Sequence, residues 1–273
     1  MNSIKLTFKI ANAEQCDLLT ALLSDLHLDG TEQNDEEFIA YFPENTFNEF
    51  EVNDRIQSLH IPYSKEIIEM KNWNATWEAN FEPILINNEV GVRAHFHPPF
   101  TDCKYDIVIT PKMSFGTGHH ETTQMMLNYL CEIDCEQKSV FDFGSGTGVL
   151  AILAKLKGAS HTIGIDNDPW SVENGNENCI KNNCSSIEIS DKTLHEVEGT
   201  FDIILANINL NVLMETLPRL YEMLNNKGDL YLSGILISDL DTISERLSGL
   251  NFEIISQKQL KNWLSLHIKK RNA

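Results

Sequence analysis

The sequence predicts an α/β protein in which an open, largely parallel sheet carries helices on both faces and is preceded by a small α+β module. Three observations carry this expectation. From Val140 onward, short apolar strands alternate with helical segments; a glycine-rich turn follows the first of these strands at once; and the first 60 residues show strand and helix periodicities in short, strongly acidic pieces.

The module opens with apolar residues at Ile4, Leu6, Phe8 and Ile10, the period-two pattern of a half-buried strand. Helical spacing follows over Ala13 to Leu28, with Asp29-Gly30 as a stop. Phe38 to Phe42 predicts a second strand, and Thr46 to His60 a second helix with Phe47, Phe50, Val52 and Ile56 inward. Residues 1–60 hold 12 acidic side chains against Lys5, Lys9 and Arg55, a net charge of −9 out of −19 for the chain. Such asymmetry suits a basic partner and disfavours indiscriminate attraction to nucleic acid.

Residues 61–100 are expected to link this module to the main domain. Trp73, Trp77 and Phe81 recur every four residues over Ser64 to Pro83, which predicts a helix with one aromatic face. Ile84 to Phe96 and then Tyr105 to Thr110 follow as strands. The main domain, 101–273, is expected to contain strands Ser139–Phe143, Thr162–Asp166, Ile187–Ile189, Phe201–Ala206 and Asp229–Ser233, with a closing pair near Phe252–Gln257 and Trp263–Lys269.

Composition narrows the function classes. A chain of 273 residues, 42% of them hydrophobic, can build a substantial core. No apolar run reaches membrane-spanning length and the first residues lack a secretory pattern, so a cytoplasmic location is expected. The six cysteines form no C-x-x-C pair, and the adjacent His119 and His120 have no third ligand at a zinc spacing, so no metal is expected.

The chemistry concentrates in four elements. The first is Asp142-Phe143-Gly144-Ser145-Gly146-Thr147-Gly148, between a strand and the helix Val149 to Lys157. Glycines allow torsions and close approaches that a Cβ forbids. A dinucleotide fingerprint would need glycine where Val149 stands, and no phosphate-loop lysine follows. Spacing of Gly144, Gly146 and Gly148 with Asp142 ahead of them matches nucleoside-type methyl donors, from whose ammonium group an acid here can accept, directly or through water.

The second element is Asp166, ending the next strand, where an acceptor-only carboxylate can receive both ribose hydroxyls. The third is Asn207, at the end of Phe201 to Ala206, whose amide can orient an attacking amine or hold the donor's methionyl part. The fourth is the turn-rich run Phe115-Gly116-Thr117-Gly118-His119-His120-Glu121-Thr122-Thr123, leading into a helix.

Together these runs, with Gly164-Ile165-Asp166 and Ala206-Asn207-Ile208, resemble the ribosomal-protein methyltransferase (PrmA) family. The resemblance covers almost the whole chain. It implies a Rossmann-like class I methyltransferase sheet of seven strands, S-adenosylmethionine as donor with S-adenosylhomocysteine as product, and contacts from Thr123, Gly144, Asp166 and Asn207. Phe115, Gly116, Thr117, Asp142, Gly146 and Gly148 complete the expected donor site, and Asn207 is the candidate for orienting the acceptor amine. The implied substrate is large-subunit ribosomal protein L-eleven, methylated on lysine side chains with an N-terminal amine as a further acceptor. The sequence departs from the family's pattern at Met113-Ser114, His119 and Glu121.

Two other readings stand beside this one. Enzymes that methylate amino groups of nucleic-acid bases carry prolines and an aromatic platform after the residue equivalent to Asn207, whereas this chain continues Ile208-Asn209-Leu210. A factor of ribosome assembly that binds the donor and methylates nothing is the third.

Overall fold

A computed structural model describes residues 2–34, 36–68, 81–112 and 114–271. The chain divides into two compact units, 1–80 and 81–273.

In the first unit β1 (Ser3–Lys9), β2 (Gly30–Gln33), β3 (Glu37–Pro43) and β4 (Tyr63–Ile68) form an antiparallel sheet in the order β2-β3-β1-β4. Register sets Ile4 opposite Phe42, Leu6 opposite Ala40 and Phe8 opposite Phe38, and all six are buried on one face. Helix α1 (Ala13–Leu23) contributes Cys16, Leu19 and Leu23 to this core, and α2 (Glu49–Ile56) contributes Val52 and Ile56. Asn12 and Asn48 cap the two helices with their side-chain oxygens.

Several expectations change here. Helix α1 stops at Leu23 rather than Leu28, and Phe50, expected inward, is 79% exposed. Tyr63–Ile68 is a strand of the small sheet rather than the start of a helix, because Tyr63 and Ile67 pair with Phe8 and Ile4 across it. Strand β4 therefore goes with the module rather than with a linking segment. Trp73 and Trp77 lie outside the described residues.

The second unit holds two sheets. Ile84 to Phe96 is a hairpin, not one strand: β5 (Ile84–Ile86) and β6 (Val90–Ala94) pair antiparallel around Asn87 and Asn88, both at positive φ (52° and 54°). That is the backbone a tight hairpin turn needs, and asparagine tolerates it. Parallel to β6 runs β7 (Tyr105–Ile109).

The large sheet contains β8 (Ser139–Phe143), β9 (His161–Ile165), β10 (Glu188–Ser190), β11 (Phe201–Asn207), β12 (Leu224–Leu236), β13 (Phe252–Leu260) and β14 (Trp263–Lys270), in the order β10-β9-β8-β11-β12-β14-β13. All pairings are parallel except those of β14, which lies antiparallel between β12 and β13. Connecting helices are α3 (Glu121–Glu132), α4 (Val149–Leu156), α5 (Pro169–Lys181), α6 (Leu210–Met223) and α7 (Leu240–Gly249).

Strand alternation divides the core between the faces. Val140, Ile203, Leu205 and Tyr231 pack with α3, α4 and Cys179 of α5, whereas Phe141, Ile204, Ala206, Leu230 and Leu232 pack with Leu213, Leu217 and Leu220 of α6 and Ile243 and Leu247 of α7. The order in which successive strands are added reverses between the parallel neighbours β8 and β11, the switch point at which such sheets open a crevice at the carboxyl ends of their strands.

Asp202 locks the opposite end. Its Oδ2 accepts from the Ser139 amide and hydroxyl, both at 2.9 Å, and its Oδ1 accepts from Asn225 Nδ2 at 2.8 Å, so one carboxylate joins β8, β11 and β12. The Ser139 amide holds this carboxyl below the ordinary range. A depressed folded-state pKa gives stability that is present above the unfolded pKa and lost as pH falls. Asp202→Ala should therefore lose about 1–3 kcal/mol in urea unfolding at pH 7, with the gap to wild type narrowing below about pH 4.

Candidate functional site at the carboxyl ends of the sheet

The turn after β8 sets the geometry. Gly144, Gly146 and Gly148 have φ of +76°, +52° and +76°, which L side chains resist. Their missing side chains make room for protein: a Cβ would meet Ile208 Cγ2 at 2.4 Å from Gly144, the Phe115 carbonyl oxygen at 2.2 Å from Gly146, and Ile189 Cδ1 at 2.9 Å from Gly148. The Phe115–Thr123 loop is thus laid directly on the turn. Thr147 fastens it there, its amide donating to Phe115 O (2.9 Å) and its hydroxyl to Gly116 O (2.7 Å).

Asp166, just past β9, accepts from Gly146 N at 2.8 Å and Asp168 N at 3.0 Å. One carboxylate thereby braces the turn against the next strand and keeps lone pairs for further donors. Asp168 in turn caps α5 by accepting from the Trp170 and Ser171 amides at 3.2 Å each.

Asp142 lies differently. It shares the face of Val140, so its side chain sits beneath α4, 1% exposed, with Oδ2 accepting from Ala151 N at 3.2 Å. Oδ1 has no hydrogen-bond partner among the described residues. Burial, reinforced by the Asp166 charge, pushes this carboxyl up to about 7.

Asn207 ends β11 at 9% exposure, its Nδ2 donating to Thr123 Oγ1 at 3.3 Å and its Oδ1 likewise unpartnered. Thr123 is buried in the first turn of α3, and His120 caps that helix, its Nδ1 accepting from Thr122 N at 3.3 Å. The His120 ring lies 5.2 Å from Phe115 and 4.8 Å from Trp263, so an aromatic row crosses the loop. Phe115 itself is half exposed.

Beside the turn opens a cavity of about 340 Å³, lined among others by Gly144, Asp166, Asn167, Leu194 and Ile208. The sequence reading missed Asn167, Leu194, Ile208 and Trp263. Asn167 and Ile208 directly follow Asp166 and Asn207 and were within its reach; Leu194 and Trp263 arrive through the chain crossovers.

A seven-stranded sheet in this order, with a glycine turn after the strand at the switch point and an acid after its neighbour, defines a class I methyltransferase, which takes its methyl group from S-adenosylmethionine. The site fits such a donor in two observable respects: the cavity lies beside the turn, and two buried oxygens, Asp142 Oδ1 and Asn207 Oδ1, lack among the described residues the donors that buried acceptors ordinarily find.

Comparison with known proteins makes the assignment particular. The family model described as ribosomal protein L11 methyltransferase (PrmA) matches residues 11–271. A ribosomal protein L11 methyltransferase of Porphyromonas gingivalis is 38% identical over 92% of this chain and 89% of its own length, and one of Chlorobaculum tepidum is 32% identical over 99% and 98%. A crystal structure of the ribosomal protein L11 methylase of Lactobacillus delbrueckii subsp. bulgaricus superposes with a TM-score of 0.65 at 28% identity, covering 70% of this chain and 100% of that one. The chain belongs to the ribosomal protein L11 methyltransferase (PrmA) family.

The buried acid gives a direct test. A carboxyl whose folded-state pKa lies above its unfolded value costs nothing below the unfolded pKa and progressively more as pH rises through the folded one. Asp142→Asn in the ligand-free protein should match wild type near pH 4 and exceed it by about 1–3 kcal/mol at pH 8, as read by urea unfolding. A gap that does not grow with pH would contradict a buried, partly unpaired carboxylate.

Proposed function

We propose that this protein transfers methyl groups from S-adenosylmethionine to lysine side-chain amines of ribosomal protein L11, with an N-terminal amine as a further acceptor. The observation that carries the reading is Asn207, whose buried Oδ1, without a partner among the described residues, stands at the end of the central strand beside the donor cavity's Ile208. Family membership supplies the substrate.

In this reading Asp166 receives the ribose hydroxyls, Asn167, Leu194 and Ile208 enclose the nucleoside, and the buried Asp142 serves the ammonium of the amino-acid arm, directly or through water. Gly144, Gly146 and Gly148 hold the turn, while Phe115, Gly116, Thr117 and Thr123 bound the reactive end. When bound, the donor supplies an electrophilic sulfonium methyl. Asn207, fixed through Thr123, accepts an N–H of the incoming amine and aligns its lone pair. The rings of Phe115 and Trp263 attract a cationic side chain to this end and exclude water around it.

An attacking lysine must first lose a proton from a group whose ordinary pKa is about 10.4. The nearby candidates to receive it are already engaged. His119 Nε2 donates to Glu82 O at 2.7 Å, His120 Nδ1 accepts from the helix, and Lys261 holds the Glu121 carboxyl below its ordinary range. Desolvation of the amine with release of the proton to water is the route these contacts favour.

The acidic first unit is the element suited to docking a basic ribosomal protein. Removal of residues 1–80 should abolish methylation of L11 while leaving S-adenosylhomocysteine binding; normal L11 methylation by the shortened chain would sink the docking role. Incubation of the full chain with labelled donor and total ribosomal protein and RNA should label one small basic protein. Label in RNA would support base methylation instead, and no label a donor-binding assembly factor. Asn207→Ala should lower kcat about a hundredfold with the donor Kd changed only a few-fold, measured by single-turnover kinetics and calorimetry.

A further inference from the structure

Helix α5 and its C-cap present Asn174, Asn178 and, just past Lys181, Asn182 at four-residue spacing, a stripe on one face, with exposures of 0, 0 and 8%. Asparagine is a poor helix former, and a buried amide must find partners. Asn174 Nδ2 has no partner among the described residues and its Oδ1 accepts from Asn178 Nδ2 at 3.5 Å, whereas the other two bind backbone and differ in kind.

Asn182 acts toward β7 as a neighbouring strand would, accepting from Val108 N at 2.8 Å and donating to Val108 O at 2.7 Å. Asn178, one turn nearer the site, reaches two segments at once. Its Oδ1 accepts from Thr110 N at 2.8 Å, just past β7, and its Nδ2 donates to Thr147 O at 3.0 Å, inside the glycine turn. Thr147 is the residue that holds Phe115 and Gly116 through its amide and hydroxyl. Thr110 on one side and Phe115 and Gly116 on the other are therefore tied to one Asn178–Thr147 pair. Gly175, on the same face of α5, closes the packing: a Cβ there would stand 3.0 Å from Gly146 O.

We infer that Asn178 is a positioning residue that fixes the glycine turn and the Phe115–Thr123 loop at their working separation and thereby sets donor affinity. It acts from within α5, fully buried, through Thr147. The inference rests on the reading of these two loops as the donor site.

Asn178→Asp and Asn182→Asp make a matched pair. Each keeps a side-chain acceptor for the β7 amide and loses the N–H donor, but only at Asn178 does that donor reach the glycine turn. Calorimetric titration of the full chain with S-adenosylhomocysteine should show Kd raised about tenfold or more in Asn178→Asp and within about twofold of wild type in Asn182→Asp. Hydrogen exchange over residues 114–123 should quicken in the first variant alone. A structural role only would move both variants alike, and that result, or a wild-type Kd in Asn178→Asp, overturns the inference. Wild-type protein that binds no S-adenosylhomocysteine overturns the donor-site reading and this inference with it. Should Asn178→Asp not fold, as judged by circular dichroism, Asn178→Ser, too short to span both partners, is held to the same outcomes.

Discussion

At position 146 a backbone oxygen from another loop occupies the space a side chain would need. Phe115 O stands 2.2 Å from where that Cβ would be, and neighbouring contacts depend on this approach: Thr147 reaching Phe115 and Gly116, and Asp166 bracing Gly146 N. The sheet supplies the frame, since β8 and β9 deliver Gly144 and Asp166 at adjacent strand ends. What the glycine turn recognises first is the rest of its own protein.

The site is built from groups left short of partners. Asp142 Oδ1 and Asn207 Oδ1 are buried acceptors without donors among the described residues, and a third unpaired oxygen, Ser145 Oγ, lies in the turn itself. Asp202, by contrast, binds three donors, and Asn178 and Asn182 spend their amides on β7 and the turn. Buried acceptors held without donors beside the glycine turn are what a polar ligand would satisfy.

Much of this was legible in the sequence because the strands around the site are short, apolar and followed at once by turn residues. Asp142, the three glycines, Asp166 and Asn207 all fall at strand ends by that reading, and the seven strands of the large sheet were found. The glycines were expected to make room for a ligand; their Cβ positions are filled by Ile208, Phe115 and Ile189. Spacing identifies a residue's type but not what fills the vacated space. Strand β4 was hidden because the helix read from Trp73, Trp77 and Phe81 extends back over it, and the β5–β6 hairpin because two asparagines interrupt an otherwise continuous apolar run. Leu194 and Trp263 could not be placed, since only the crossovers bring them to the site.

The antiparallel strand β14 has a consequence for how the chain is made. It separates β12 from β13, so β13 has no neighbour in the sheet until β14 has entered, and Asp229 meets Lys269 only across a long loop of intervening chain. During synthesis the ribosome must release most of the second unit with the exposed flank of β12 uncovered. An enzyme of this family thus completes its large sheet only when the strand that follows the other six in chain order has emerged from the machine whose proteins its relatives are named for modifying.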